Sequence, residues 1–413
     1  ALLDFAYQHN ENIINKINKP EILDYNNYLV LTNNCINQLN LVAHTSNNIN
    51  TKFNSLFAVV NNCSTAIGRR YLRDTMLNPI TDAKELNQRY DLCNYMQQSY
   101  FDNHDNQDNQ DNQEYKFNYQ FYEHCLTKIM DVERLHRKLG LNMFQPSDFG
   151  NLDLSYEYIN TMLEYINHCQ NNLTNNNSNN NALQFLYPDN KDIDEFRKFI
   201  QEYKQVFNMN EIIKFHLDKI TSSFFNRGVV EEIDQIQDTI LNHQDILKYT
   251  AKRLSHILED NSNQVKLEFN DRDGHYLAIT TKRSQLLKQK FKNMNYSKIS
   301  VRGSDNHTIL YKLDPNDLNF KSMNKTSVRI TTDFIKLTSN NLRIEQEKIK
   351  SLSITHFQNK CLEFYNKYSD SLREISKFVG NIDLYKSNAK TAILYGYHRP
   401  TILTENDIND YGD

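Results

Sequence analysis

Residues 229–258 read VVEEIDQIQDTILNHQDILKYTAKRLSHIL, a run without Gly or Pro. Ile233, Ile240, Leu247 and Leu254 stand seven apart, with Ile236 and Ile257 on the neighbouring position. So narrow and regular an apolar seam predicts one long helix. Toward the C-terminus, residues 339–379 again lack both helix breakers. Cys361, Tyr368, Ile375 and Ile382 repeat the seven-residue spacing, with Phe364 and Phe378 beside them. At about 1.5 Å per residue the two helices would run roughly 45 and 60 Å. That is too far for one compact core, and two facing seams suit antiparallel packing.

Between them, residues 265–332 change character. Val265, Leu267 and Phe269 alternate with polar residues, Asp271 to Gly274 supply a turn, and His275, Leu277 and Ile279 resume the alternation, which predicts a β-hairpin. From Lys282 to Arg329, eleven Lys and Arg face three Asp, a net +8 in a chain whose total is −4. The remainder therefore carries −12. The fold class expected is mainly α: a helical core with two long antiparallel helices carrying a small, basic, antiparallel sheet at their tip.

The other ends of the chain support a helical body. With 413 residues the chain can form two to four domains with a sizeable core. Hydrophobic residues make up 39% and the mean hydropathy is −0.72, but runs of Asn distort both figures. A helix is expected over residues 1–19, closed by Pro20, and strand-like clusters at Tyr28–Leu31 and Ile36–Val42. Ser64 or Thr65 can cap a helix with Ile67, Tyr71, Leu72 and Met76 on one face, ended by Asn78 and Pro79. Another follows from Thr81, and residues 115–170 read as helical with a break at Pro146. So do residues 191–226. Residues 102–114 repeat Asp-Asn-Gln and residues 171–181 are nearly all Asn, which predicts unstructured insertions.

Several chemistries find no residues here. The six cysteines are scattered without a Cys-x-x-Cys pair, which predicts reduced and mostly buried thiols. Thirteen histidines include no His-x-x-x-His, and no Gly-x-Ser-x-Gly or Cys/His ligand spacing occurs. Glu123, His124 and Cys125 are adjacent, yet neighbours on a helix point in different directions. The nine glycines include no Gly-Lys pair, so no phosphate-binding loop is present. The expectation is therefore no catalytic residues, no metal ligands, no cofactor site and no ATPase activity in this chain. No stretch approaches 18 apolar residues and no signal peptide is evident, so a soluble intracellular protein without membrane contact is expected. Beginning at Ala1 inside a helical pattern, the chain reads as part of something larger.

Four stretches in order carry a resemblance. Leu56 and Phe57 lead through Asn62, Thr65, Gly68, Arg69, Arg70, Leu72 and Arg73 to Pro79, Asp82, Arg89 and Asp91. Asp131, Val132, Glu133, Arg134 and Leu135 precede Gly140, Pro146, Asp148 and Leu152. Arg227 and Gly228 with Ile233 and Asp234 precede Gly274, Tyr276 and Thr280. Ile382, Asp383, Leu384, Ser387, Ala389, Tyr397, Arg399 and Pro400 close the series. Together they resemble the MutS family of DNA mismatch-repair proteins, from the end of the connector domain through core, lever and clamp. The Asn runs point to an AT-rich genome, such as that of a large DNA virus or a protist.

The resemblance implies a division into residues 1–50 (end of connector and entry to core), 51–190 (core), 191–264 (outgoing lever), 265–332 (clamp) and 333–413 (lever return and lead-in to an absent ATPase domain). It implies double-stranded DNA as partner, gripped by its backbone, and a homodimer in the longer parent protein. ATP and Mg would belong to the absent domain, and nucleotide state there would be linked to the clamp through the lever. Lys282, Arg283, Lys288, Lys290, Lys292, Lys298 and Arg302 are the candidate DNA contacts, because cations at a tip neutralise phosphates without reading sequence. Thr65, Gly68, Arg69, Arg73, Pro79, Arg89, Asp131 and Arg134 form the core motif. Its arginines are expected in ion pairs with Asp74, Asp91, Asp131 and Glu133 that lock helices. Two alternatives stay open: a relative that encloses branched or recombining DNA, and a helical scaffold that binds another protein.

Overall fold

The computed structural model describes residues 2–9, 28–43, 53–105, 118–172, 186–258, 264–270, 274–293, 298–303 and 308–402. In chain order the helices are α1 (Leu2–His9), α2 (Asn33–Gln38), α3 (Leu56–Val60), α4 (Ala66–Leu77), α5 (Ala83–Asp105), α6 (Tyr119–Lys128), α7 (Val132–Gly140) and α8 (Asp148–Asn172). They continue with α9 (Asn190–Val206), α10 (Met209–Ile212), α11 (Glu231–Ile257), α12 (Thr281–Asn293) and α13 (Asp333–Tyr395). Strands β1 (Lys266–Asn270), β2 (Gly274–Thr280), β3 (Ile299–Arg302), β4 (Ile309–Leu313), β5 (Asn319–Ser322) and β6 (Ser327–Thr331) lie between α11 and α13. The mainly α expectation holds. The chain forms two compact units: residues 1–131, 158–188 and 376–413, and residues 132–157 and 189–375.

In the first unit, Thr65 caps α4 by accepting from the Gly68 amide at 2.8 Å, as its position before an apolar face predicts. Arg70 reaches both carboxylate oxygens of Asp131 at 2.8 and 2.6 Å. Phe121 stacks on Tyr165 at 4.5 Å. Helix α13 runs well past the expected residues 339–379, through Gly380 to Tyr395. The ring of Tyr71 lies 2.9 Å from where a Cβ on Gly380 would stand, so this glycine permits close packing and the helix continues through it.

In the second unit, the expected seam of α11 is buried: Ile233, Ile240, Leu247 and Leu254 are all inaccessible. On α13 the buried line begins with Ile335, Leu342 and Ile349, again seven apart, and continues through Phe357, Cys361, Phe364, Tyr368 and Ile375. Phe149 sits among Tyr203, Phe207 and Phe357 at centroid distances of 5.2, 5.1 and 6.1 Å. One sheet has the order β1-β2-β6-β5, and β3 pairs with β4 separately. The expected hairpin is present, with Lys266 opposite Ala278 and Asn270 opposite Gly274.

Four expectations are corrected. Residues 36–38 are helical, because Thr32 caps α2 by accepting from the Cys35 amide. Helix α5 extends through Asp105, into the first residues of the expected insertion; most of residues 102–114 and of 171–181 lies outside the described residues. The helix expected over 191–226 stops at Val206, where the Asn208 amide instead donates to the Phe224 carbonyl and Phe207 bridges to Phe225. Last, the region 265–332 is not all strand: its most basic stretch is helix α12. Ser284 and Leu287 are its buried residues, spaced for one face, and Phe291 is half-buried beyond them.

Candidate nucleic-acid interface

Helix α12 turns its Ser284 and Leu287 face inward, so most of its cations point sideways or outward. Lys282 and Lys292 are exposed, and so are Lys298 and Arg302 at the two ends of β3. Arg302 follows a register shift between Val301 and Arg302, an irregularity that re-aims a side chain on a strand. Arg283 is half-buried. Lys288 lies over the ring of Phe320 with its Nζ 4.7 Å from the centroid. Lys290 is turned inward, and its Nζ donates to the Ile257 carbonyl at 3.1 Å, capping the C-terminal end of α11 where carbonyls lack helical partners. Of the seven candidates, Lys282, Lys288, Lys292, Lys298 and Arg302 are exposed, and Arg283 and Lys290 are half-buried.

The sheet adds a further feature. On β5 and β6, Lys321 stands directly opposite Arg329, and like charges in that position repel. Arg329 settles over the Tyr276 ring, 3.9 Å from its centroid, which relieves part of the repulsion. Tyr276 in turn donates to Glu268 at 3.3 Å. Tyr311 stacks on Phe334 at 3.7 Å, so these aromatics pack the region internally.

The core motif is organised differently. Asp383 of α13 accepts from the Ser64 amide at 2.9 Å, and from the Thr65 amide and hydroxyl at 2.7 Å each. Lys386, one turn on, lies 3.1 Å from Asp383 and 2.7 Å from Glu123 of α6; the Asp383 and Lys386 side chains are both 0% exposed. Lys386 also donates to Ser64 at 2.5 Å. A Cβ on Gly68 would stand 2.2 Å from the Asp383 carboxylate, which explains a glycine inside α4. Burial alone would raise the Glu123 pKa. The Lys386 hydrogen bond and charge, the Lys390 charge and the Tyr119 hydroxyl outweigh it and hold the carboxyl below its ordinary value.

Of the remaining motif residues, Arg69 donates from Nε to the Thr65 carbonyl at 3.2 Å. Arg89 pairs with Glu85 at 2.7 Å rather than with Asp91, which is taken by Arg399. Arg73 and Arg134 are exposed, and the Pro79 carbonyl accepts from the Leu29 amide at 2.8 Å. Glu123, His124 and Cys125 diverge as expected: His124 is exposed, Cys125 is buried, and only Glu123 reaches Lys386. Sequence reasoning missed Lys386. The available signal was an Asp and a Lys at i,i+3 within the otherwise apolar end of a helix.

Cys35, Cys63, Cys93, Cys125 and Cys361 are free thiols. Burial pushes Cys63 and Cys93 up to about 12, so they stay protonated and unreactive. Among the described residues no group of His, Cys, Asp and Glu is arranged to hold a metal. No described helix is long and apolar enough to cross a membrane.

A long helix entering a small basic sheet-and-helix module, and a 63-residue helix leaving it, define a class of mainly α protein that presents cations on a packed helical support. Residues 34–389 match the family pattern of MutS domain III. The chain belongs to the MutS family. It is 29% identical, over 99% of its length, to a putative DNA mismatch repair protein mutS homolog of Acanthamoeba polyphaga mimivirus. Over 97% of its length it is 24% identical to a mitochondrial DNA mismatch repair protein mutS homolog of Sarcophyton glaucum. It is 23% identical to the DNA mismatch repair protein MutS of Fervidobacterium nodosum over 94%. The chain spans only 34%, 36% and 38% of those relatives.

Proposed function

We propose that this chain is the DNA-gripping part of a MutS-like mismatch-repair protein, and that residues 265–332 hold duplex DNA by its phosphates. The observation that supports this most is the set of outward cations, Lys282, Lys292, Lys298 and Arg302, in a segment of net +8 within an otherwise acidic chain. Such a surface releases counterions from DNA and attracts it without reading bases. The opposed Lys321 and Arg329 fit the same reading, because a bound phosphate would screen their repulsion. Helices α11 and α13 serve as the lever. In the longer protein they couple this grip to an ATPase domain that binds ATP and Mg, and two copies enclose the duplex.

The test is a salt titration of the 413-residue chain on a short DNA duplex. Affinity is expected to fall steeply with salt, by a slope of about 0.9 for each phosphate neutralised. Charge reversal at Lys282, Lys292, Lys298 and Arg302 should flatten that slope. Absence of binding at low salt, or a slope untouched by the reversal, would overturn the proposal in favour of a protein-binding scaffold. Tighter binding to a four-way junction than to the duplex would favour a relative that encloses branched DNA.

A further inference from the structure

The basic module meets its two supporting helices through a small set of buried polar contacts. Ser255 on α11 and Ser339 on α13 are 4% and 3% exposed. The Ser255 hydroxyl accepts the Val265 amide at 2.9 Å, at the entry to β1. The Ser339 hydroxyl accepts the His275 amide at 2.7 Å, near the start of β2. Each helix thus holds the hairpin by one serine oxygen. Both amides belong to a partly or fully buried backbone and need a partner there. Nearby, Gly274 adopts φ +72°, and a Cβ on it would stand 2.5 Å from the Ser339 hydroxyl. Glycine is therefore required both for the turn and for the close approach. From the other side, Lys290 of α12 ties the basic helix to the α11 terminus through the Ile257 carbonyl.

Resting on the proposed grip of DNA, we infer that Ser255, Ser339 and Lys290 form a joint that sets the angle of the basic module on its supporting helices. They are positioning residues: none of them needs to touch phosphate, and Lys290 is withdrawn from the set of cations that do. Two serine contacts on separate helices fix a direction where one would leave a swivel. Helix α12 is held by its own third contact. Movement of α11 against α13 would accordingly be transmitted to the hairpin through two points. Preorganisation of this kind raises affinity by lowering the ordering cost of binding and adds no contact.

The experiment uses the full 413-residue chain with Ser255→Ala and Ser339→Ala combined, and separately with Gly274→Ala. Spin labels on non-natural residues at the exposed positions Gln289 and Glu347 report the distance distribution between α12 and α13. A broadened distribution is expected in both variants. In parallel, duplex affinity should fall about tenfold at every salt concentration with the wild-type salt slope retained, because the phosphates neutralised stay the same in number. Lys290→Gln, whose amide can still donate, should broaden the distribution less than Lys290→Ala does. A distribution as narrow as wild type, or an affinity loss accompanied by a lower slope, would overturn the joint. If the unaltered chain fails to bind DNA, the proposed grip fails while the distance distribution still decides the joint.

Discussion

Two charged regions of this chain use their charges in opposite ways. In the basic module between α11 and α13, cations are numerous and mostly solvated, and any one of the exposed ones can be lost at small cost. Around Asp383, Lys386 and Glu123, two charges are withdrawn from water and the third only partly, and each is specified by geometry. Exposed charge acts by its sum, since screening blurs position beyond about 8–10 Å at ordinary salt. Buried charge acts by pairing, since each ion removed from water is costly unless its partner is present. The contrast separates the charges proposed to bind DNA from those that hold the body together.

The largest effect should come from breaking the buried pair. Asp383→Ala leaves Lys386 without one carboxylate, and leaves the Ser64 and Thr65 amides without their acceptor. A loss of about 3–5 kcal/mol is expected, read as a lower midpoint in urea unfolding followed by circular dichroism. Replacing Asp383 by Asn and Lys386 by Met together should recover part of it, since no fully buried charge then remains and the partly exposed Glu123 keeps Lys390 at 3.7 Å. If Asp383→Ala shifts stability by less than about 1 kcal/mol, a typical hydrogen bond's worth, the network is not holding the helices.

Next in size is steric. Gly68→Ala drives a Cβ into the Asp383 carboxylate, with an expected cost of about 1–3 kcal/mol from overpacking. Differential scanning calorimetry of the variant measures it. Reversal of Lys282, Lys292, Lys298 and Arg302 should behave in the contrary way. These positions are exposed, so unfolding should move by no more than about 0.5 kcal/mol, while duplex binding weakens and its salt slope flattens. A large stability change from the reversal, or none from Gly68→Ala, would erase the distinction between the two regions.

That distinction bears on what could be read from the amino acids alone. The seams of α11 and α13 were legible because a seven-residue period survives any detail of packing. The hairpin was legible from alternation around Gly274. The Thr65 cap and its glycine were legible as a pattern, but their reason was not: the Asp383 carboxylate that fills the space lies more than 300 residues away in the chain. Nor could charge counting separate Lys290 from Lys292. Both sit on one helix two residues apart, and only the position of the α11 terminus decides which of them turns inward. Helix α12 itself was hidden by the strand pattern around it, although Ser284 and Leu287 with Phe291 carried a helical spacing.

The smallest effect expected is a matter of pH, and it sharpens the comparison most finely. Glu123 is the partly exposed member of the buried network, at 32% side-chain exposure, and its carboxyl is held below its ordinary value of 4.5. A depressed folded value means the unfolded chain takes up the proton first as pH falls. Its contribution to stability is therefore fully present above about pH 4.5 and is lost as pH falls through the lower folded value. Glu123→Gln keeps the shape and removes the titration. Urea midpoints of wild type and variant should differ at pH 7 and converge as the solution is acidified below the folded value. Curves that stay parallel down to that pH would place Glu123 with the solvated charges of the basic module, acting by number, and leave Asp383 and Lys386 as the whole of the buried network.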